Sequence, residues 1–394
     1  MGSAFQVLVL NQISPAGLKR FATERYSVSK DAANPDAILV RSADMHAMTI
    51  PESVQAIGRA GAGTNNIPVA AMSRRGVPVF NAPGANANAV KELVLAGMLI
   101  AARNLVPAIR FVEGLRGDDE SLAKRVEDEK KRFAGVELPG HTLGVIGLGK
   151  IGSLVADAAM RLGMNVLGYD PEITVEAAWS LPAQVRKAQS IDEVLRGSHF
   201  LTLHVPLAPA TRGLINARNL AHVRAGAILL NFSREAIVDD AAAIEALDAH
   251  RLKAYVTDFP TGQLAGHAGV IALPHLGAST REAEDNSAQM VVDQVRDYLE
   301  HGNVRNAVNF PDVVMPREAP YRVAIANANV PNMLGQMSTA MAHAGLNIHN
   351  MLNKSKGEMA YTLVDVDSPV SAEAVGAVRR IDGVLAVRYL PLEA

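Results

Sequence analysis

A chain of 394 residues with 49% hydrophobic and 20% charged residues can build two or three domains, and it lacks the composition of a disordered segment. A formal net charge of −2 leaves no footprint for nucleic acid, and the absence of cysteine removes disulfide frameworks and thiolate chemistry. No window approaches the ~20 apolar residues that a membrane span needs, and Met1-Gly2-Ser3 runs into the strand-like Phe5–Leu10 with no basic n-region and apolar h-region; a cytoplasmic protein without membrane or nucleic-acid partners is expected.

Residues 5–80 alternate short strands with helical stretches. Residues 37–40 read as a strand, 53–60 as helical and 77–80 as a strand, which implies a parallel α/β sheet. A Gly/Asn/Pro-rich loop at 81–88 leads into a long apolar helix from about 89 to 105. The Glu/Lys/Arg run at 127–132 reads as a solvated helix face.

The stretch 143–170 is the most informative. Leu143–Ile146 is strand-like, Gly147-x-Gly149-x-x-Gly152 follows, and Ala156, Ala159 and Leu162 continue at helical spacing. Glycine permits the tight turn, and the helix start presents backbone N–H groups to a pyrophosphate. Asp170 lies 18 residues past Gly152, at the end of the next predicted strand, where a carboxylate accepts hydrogen bonds from an adenosine ribose. Strand, triplet, helix, strand and acid in this order predict a dinucleotide site. The carboxylate repels a 2′-phosphate, and Pro171-Glu172 brings no cation, so NAD is expected over NADP.

Further strands are predicted at 200–205, 227–231, 254–257 and 270–272, and a helix at 281–301. They make a doubly wound parallel sheet, with ligands outside the carboxyl ends of its strands. Asn231, Asp258 and His275 all fall at such ends. Residues 311–320 hold three prolines and read as a linker, and beyond them a β-α-β-β-α-β order predicts a ferredoxin-like domain. The expected architecture is two Rossmann/flavodoxin-like α/β domains plus this smaller one. Their bounds are 1–87 with 281–310 for a discontinuous substrate domain, 88–280 for the nucleotide domain, 311–319 for the linker and 320–394 for the C-terminal domain.

Two side chains bring chemistry to the nucleotide site. Arg234 follows a buried-type strand, and a planar guanidinium there holds a carboxylate through two parallel hydrogen bonds. His275 follows another strand and titrates near neutrality, which suits removal of a hydroxyl proton. Singly, each has a plainer reading, a surface loop arginine and one structural histidine among 11. No metal site is read from the sequence.

Taken in order, Val40-Arg41-Ser42, Gly58–Gly63, the triplet 147–152, Asn231-x-Ser233-Arg234, Thr257–Pro260 and Pro274–Thr280 resemble the D-isomer-specific 2-hydroxyacid dehydrogenases over nearly the whole chain. The resemblance implies NAD-dependent oxidation of a D-2-hydroxyacid, with Arg234 orienting the substrate and His275 as proton acceptor. It implies cofactor contacts from Gly147, Gly149, Lys150, Ile151, Gly152, Asp170, Pro171, His204, Val205, Pro206, Phe232, Ser233, Arg234, Asp258, His275, Gly277 and Ala278. Arg41, Ser42, Arg59, Ala60 and Gly61 would face the substrate, with Arg41 on the phosphate of a phosphorylated acid and Lys131 or Arg132 as weaker candidates. The family places a glutamate four or five residues after the Asp258 position to partner the histidine. Gly262 and Gln263 stand there, so Gln263 would orient the ring without charge, or Glu282 or Glu284 would substitute. The tail resembles an amino-acid-binding ACT domain, which implies pairing into a homodimer or homotetramer and an L-serine effector held by Asn327, Asn329 and Asn347. Two alternatives stay open, a dehydrogenase of an unphosphorylated acid such as glycerate, and a non-enzymatic NAD-sensing protein on the same scaffold.

Overall fold

In the computed structural model, which describes residues 4–392, the chain divides into two units, Met1–Asn86 with Arg281–Ala394 and Ala87–Thr280. The first unit is built on five parallel strands, β1 (Phe5–Val9), β2 (Tyr26–Ser29), β3 (Ala37–Val40), β4 (Ala56–Arg59) and β5 (Val79–Phe80), in the order β2-β1-β3-β4-β5. Every residue of β3 is buried, as a strand covered on both faces requires. One cover is the helix Arg281–His301, whose Ala288, Val291, Val292, Val295, Tyr298 and Leu299 recur at helical spacing. Val54, Ile67, Met72 and Val77 belong to the core on the other side.

β4 corrects one expectation. Residues 53–60 are not helical: only Pro51–Val54 turns, and Ala56–Arg59 is a strand between β3 and β5. Periodicity alone does not separate a short apolar strand from a helix segment. Gly58 is decisive in space, since a Cβ there would lie 2.7 Å from Val291 and 2.8 Å from Leu39.

The second unit holds seven parallel strands, β6 (Thr142–Ile146), β7 (Asn165–Tyr169), β8 (Arg186–Lys187), β9 (Phe200–Leu203), β10 (Ala227–Asn231), β11 (Leu252–Thr257) and β12 (Val270–Ala272), in the order β12-β11-β10-β9-β6-β7-β8. The order reverses between β6 and β9, the switch point at which such sheets bind ligands. The helices Ala87–Ala102 and Lys150–Arg161 share a core with this sheet through Val90, Val94, Met98, Val155, Ala156 and Ala159. Among the described residues no single helix is long and apolar enough to cross a membrane. The charge run at 127–132 closes the exposed helix Asp119–Glu129 and the following turn, where Arg132 pairs with Glu129 and lies over the rings of Phe111 and Phe133.

The C-terminal part of the first unit is a four-stranded antiparallel sheet, β13 (Tyr321–Ala328), β14 (Ile348–Lys356), β15 (Met359–Val366) and β16 (Val384–Pro391), in the order β14-β15-β13-β16. The helices Met333–His343 and Ala372–Arg379 share one core with it. Ala324, Ala326, Tyr361, Leu363 and Leu390 join Tyr298, Leu299 and Phe310 in another. Arg388 donates 2.8 Å hydrogen bonds to the carbonyls of Tyr298 and Leu299, and Tyr361 donates one of 2.7 Å to the carbonyl of Gly302. Arg322 and Asp365 form a fully buried ion pair, and Arg322 also bonds the carbonyls of His301 and Pro316. The stretch read as a linker lies against this unit, with Val313 bridged to Val304 and both Val313 and Met315 buried.

Candidate active site

The nucleotide cradle begins where β6 ends. Gly147 adopts a φ of +91°, and its N–H donates to the carbonyl of Tyr169 at the end of β7. Gly149 caps the helix Lys150–Arg161, and a Cβ there would meet open space. A Cβ on Gly152 would lie 1.9 Å from the Gly147 carbonyl oxygen, so the third glycine lets the helix start pack onto the turn. Asp170 braces this loop, accepting from the N–H of Leu148 at 2.8 Å and of Glu172 at 3.0 Å. An anion cradle at a helix start beside a carboxylate fits the pyrophosphate and ribose of a dinucleotide.

The remaining predicted residues follow the carboxyl ends of neighbouring strands. His204 follows β9; burial pushes its imidazole down to about 3, and its Nε2 lies 3.0 Å from the Thr202 hydroxyl. A neutral ring there bonds without adding charge to the nucleotide side. Val205 is half-buried and Pro206 exposed. After β10, Phe232 and Ser233 are buried, and Arg234 is exposed with its Nη1 2.6 Å from the Ser233 carbonyl. Buried Asn231 fixes this loop, its amide donating to the Arg234 carbonyl at 2.9 Å and its oxygen accepting from the N–H of Ser233 at 3.2 Å. The sequence placed Asn231 at a strand end without seeing this role.

Asp258 follows β11 and His275 follows β12. Asp258 is 1% exposed, and its Oδ2 accepts from the N–H of Leu276 and of Gly277 at 3.1 Å each. Its Oδ1 is buried without a partner among the described residues. Burial raises the Asp258 carboxyl above its ordinary range, while the imidazole of His275 and the two N–H donors pull the other way. The His275 ring lies against Phe259, with centroids 4.8 Å apart. Gln263 is exposed and makes no hydrogen bond to His275 among the described residues. Asp258 is the carboxylate of this unit whose ionisation His275 favours.

In the first unit Arg41 and Ser42 follow the carboxyl end of β3, Arg59 ends β4, and Ala60 and Gly61 follow it. Asn11, past the end of β1, joins them: its oxygen accepts from the N–H of Arg41 at 2.9 Å and its amide donates to the Ser42 hydroxyl at 2.8 Å. Arg59 Nε donates to the Arg41 carbonyl at 3.0 Å. Gly61, with φ +149°, leaves the space of the Arg59 guanidinium, since a Cβ there would sit 1.8 Å from Nη1. The sheet order reverses between β1 and β3, so Asn11 and Arg41 flank this unit's own switch point. Glu284 carries an ion pair to Arg41 at 2.6 Å.

The model of the D-isomer specific 2-hydroxyacid dehydrogenase NAD-binding domain matches residues 95–277. D-3-phosphoglycerate dehydrogenase of Escherichia coli K12 is 31% identical over 354 residues, 86% of this chain and 82% of the relative. The chain belongs to the D-isomer-specific 2-hydroxyacid dehydrogenase family. NAD is the cofactor of this family member's nucleotide domain, and the glycine cradle and Asp170 fit it. A Methanocaldococcus jannaschii D-3-phosphoglycerate dehydrogenase is 38% identical over 72% of this chain, but the chain spans about half of that relative, 53%. An NAD-bound 3-phosphoglycerate dehydrogenase from Entamoeba histolytica superposes with a TM-score of 0.60 at 26% identity, covering 78% of this chain and 99% of that one.

Proposed function

We propose that this family member oxidises D-3-phosphoglycerate to 3-phosphohydroxypyruvate, the entry step to serine. The observation that carries the reading is a guanidinium, Arg41, standing on a braced loop at the first unit's switch point. A phosphorylated acid brings a second anionic group that needs such a cation. The similarity to D-3-phosphoglycerate dehydrogenases supports the same choice.

NAD, when bound, supplies the hydride acceptor. Arg234 takes the substrate carboxylate in paired hydrogen bonds and draws charge from the carbon that becomes a carbonyl. An imidazole nitrogen of His275 takes the proton of the 2-hydroxyl as the C–H bond gives up its hydride. The Asp258 carboxylate balances the imidazolium that results, in place of the glutamate absent at Gly262 and Gln263. Replacing His275 by Asn keeps the fold and removes the proton acceptor, so kcat for NAD reduction by D-3-phosphoglycerate is expected to fall about 10²–10⁴-fold. A variant within threefold of the wild type would overturn the role of His275.

The homo-oligomer, the L-serine effector and a cytoplasmic setting belong to the same reading. Ile109 and Val112, 56% and 58% exposed on one helix, support an interface between copies. For an effector, Asn327 is buried with an Oδ1 that has no partner among the described residues, whereas the amides of Asn329 and Asn347 donate to the Gly357 carbonyl and the Asp367 carboxylate. A second reading, an unphosphorylated acid as substrate, draws on one observation: Arg41 already holds a carboxylate, that of Glu284.

A further inference from the structure

We propose that Glu284 is a built-in competitor for the anionic group at Arg41, and that it sets how strongly the protein prefers a phosphorylated over an unphosphorylated acid. The inference deepens the dehydrogenase reading above and rests on it for the identity of the substrate.

The place is a ligand site by topology. Open parallel sheets bind ligands outside the carboxyl ends of their strands where the order reverses, and here that point lies between β1 and β3. Arg41 follows β3 and Asn11 lies past the end of β1. The backbone of Arg41 is held from two directions, its N–H by Asn11 and its carbonyl by Arg59 Nε. The guanidinium is 37% exposed, so a fixed loop presents a solvent-facing cation.

That cation has an internal partner. Glu284 Oε1 lies 2.6 Å from Arg41 Nη2, across 243 residues of sequence. Glu284 sits in the first turn of the helix Arg281–His301, where a carboxylate also favours the helix dipole. The neighbouring Asp285 accepts from the Ser14 hydroxyl, which ties the same turn to the segment after β1. The carboxylate therefore comes from a fixed backbone, and only its side chain needs to move.

Magnitude decides what the pair does. Arg41 and Glu284 are 37% and 40% exposed, so their bond belongs with the weak, half-exposed pairs that a competing anion can displace. A phosphate that takes Arg41 in a bidentate geometry displaces it and then faces the released carboxylate at short range. A neutral hydroxymethyl group in the same place displaces nothing. Glu284 thus weakens phosphate binding selectively, by about two- to fivefold.

The test titrates inorganic phosphate into the full chain by calorimetry, comparing wild type, Glu284→Gln and the double variant Arg41→Gln/Glu284→Gln. Tighter phosphate binding in Glu284→Gln, lost again in the double variant, is the expected result. Equal affinity of wild type and Glu284→Gln, or a gain that survives loss of Arg41, would overturn the proposal. In parallel, the ratio of KM for hydroxypyruvate to KM for 3-phosphohydroxypyruvate is expected to rise about two- to fivefold in Glu284→Gln. An equal change in both KM values would mark a merely structural role. If the wild type turned over neither acid, the dehydrogenase reading would fail, while the phosphate titration would still decide the role of Glu284.

Discussion

Gly152→Ala tests the nucleotide cradle at its tightest point. The added Cβ would lie 1.9 Å from the Gly147 carbonyl oxygen and 3.0 Å from the Gly147 carbonyl carbon, both backbone atoms. Real Cβ contacts do not fall under 3.0 Å, so the helix start and the glycine turn must separate by at least about 1.1 Å. No rotamer relieves this, because neither group is a side chain. Overpacking of this kind costs about 1–3 kcal/mol of stability. Separation also moves the N–H groups at the helix start out of register with a pyrophosphate. Losing two charge-assisted hydrogen bonds at about 1.5 kcal/mol each amounts to ~3 kcal/mol, or a Kd for NADH raised about 100-fold. Energy transfer from Trp179, the one tryptophan in the chain, to bound NADH gives the titration, and thermal unfolding gives the stability. A Kd within threefold of the wild type, with an unchanged Tm, would refute the argument that this glycine is required by close approach.

Two further outcomes are expected. Asp365→Asn breaks the fully buried pair with Arg322 and leaves a guanidinium without its counter-charge, so stability is expected to fall by about 3 kcal/mol in chemical denaturation; a loss below ~1 kcal/mol would contradict it. Burial holds the Asp258 carboxyl above its ordinary range, so the folded chain keeps that proton more tightly than the unfolded one; the associated stability is present below the ordinary carboxyl range and lost as pH rises through the raised value. Asp258→Asn keeps an oxygen for the N–H groups of Leu276 and Gly277, and should flatten the fall of Tm as pH rises above the ordinary carboxyl range while lowering kcat; a steeper fall in the variant would count against it.

The nucleotide half of the site was legible in the sequence because its constraints are local. Gly147, Gly149, Gly152 and Asp170 sit within one strand–helix–strand unit, and glycine leaves a direct mark where a turn or a close approach forbids a Cβ. The placement of Arg234, Asp258 and His275 after strands was legible too, since topology gathers such ends on one edge of a parallel sheet. What stayed hidden depends on long-range pairing. No local pattern joins Glu284 to Arg41 or Asn11 to Ser42. Residues 53–60 were misread because a four-residue buried strand and a turn of buried helix have the same apolar content. The stretch 311–320 looked like a free linker because prolines break periodicity, yet its Val313 and Met315 are buried.

Use of a phosphorylated acid is decided by kcat/KM for NADH oxidation with 3-phosphohydroxypyruvate against hydroxypyruvate and 2-oxoglutarate, on the same wild-type preparation. A half-exposed guanidinium on a braced loop, worth about 0.2–1 kcal/mol to a charged partner, predicts a preference for the phosphorylated acid of up to about fivefold. Equal or greater efficiency with hydroxypyruvate would contradict it and assign the protein to an unphosphorylated acid.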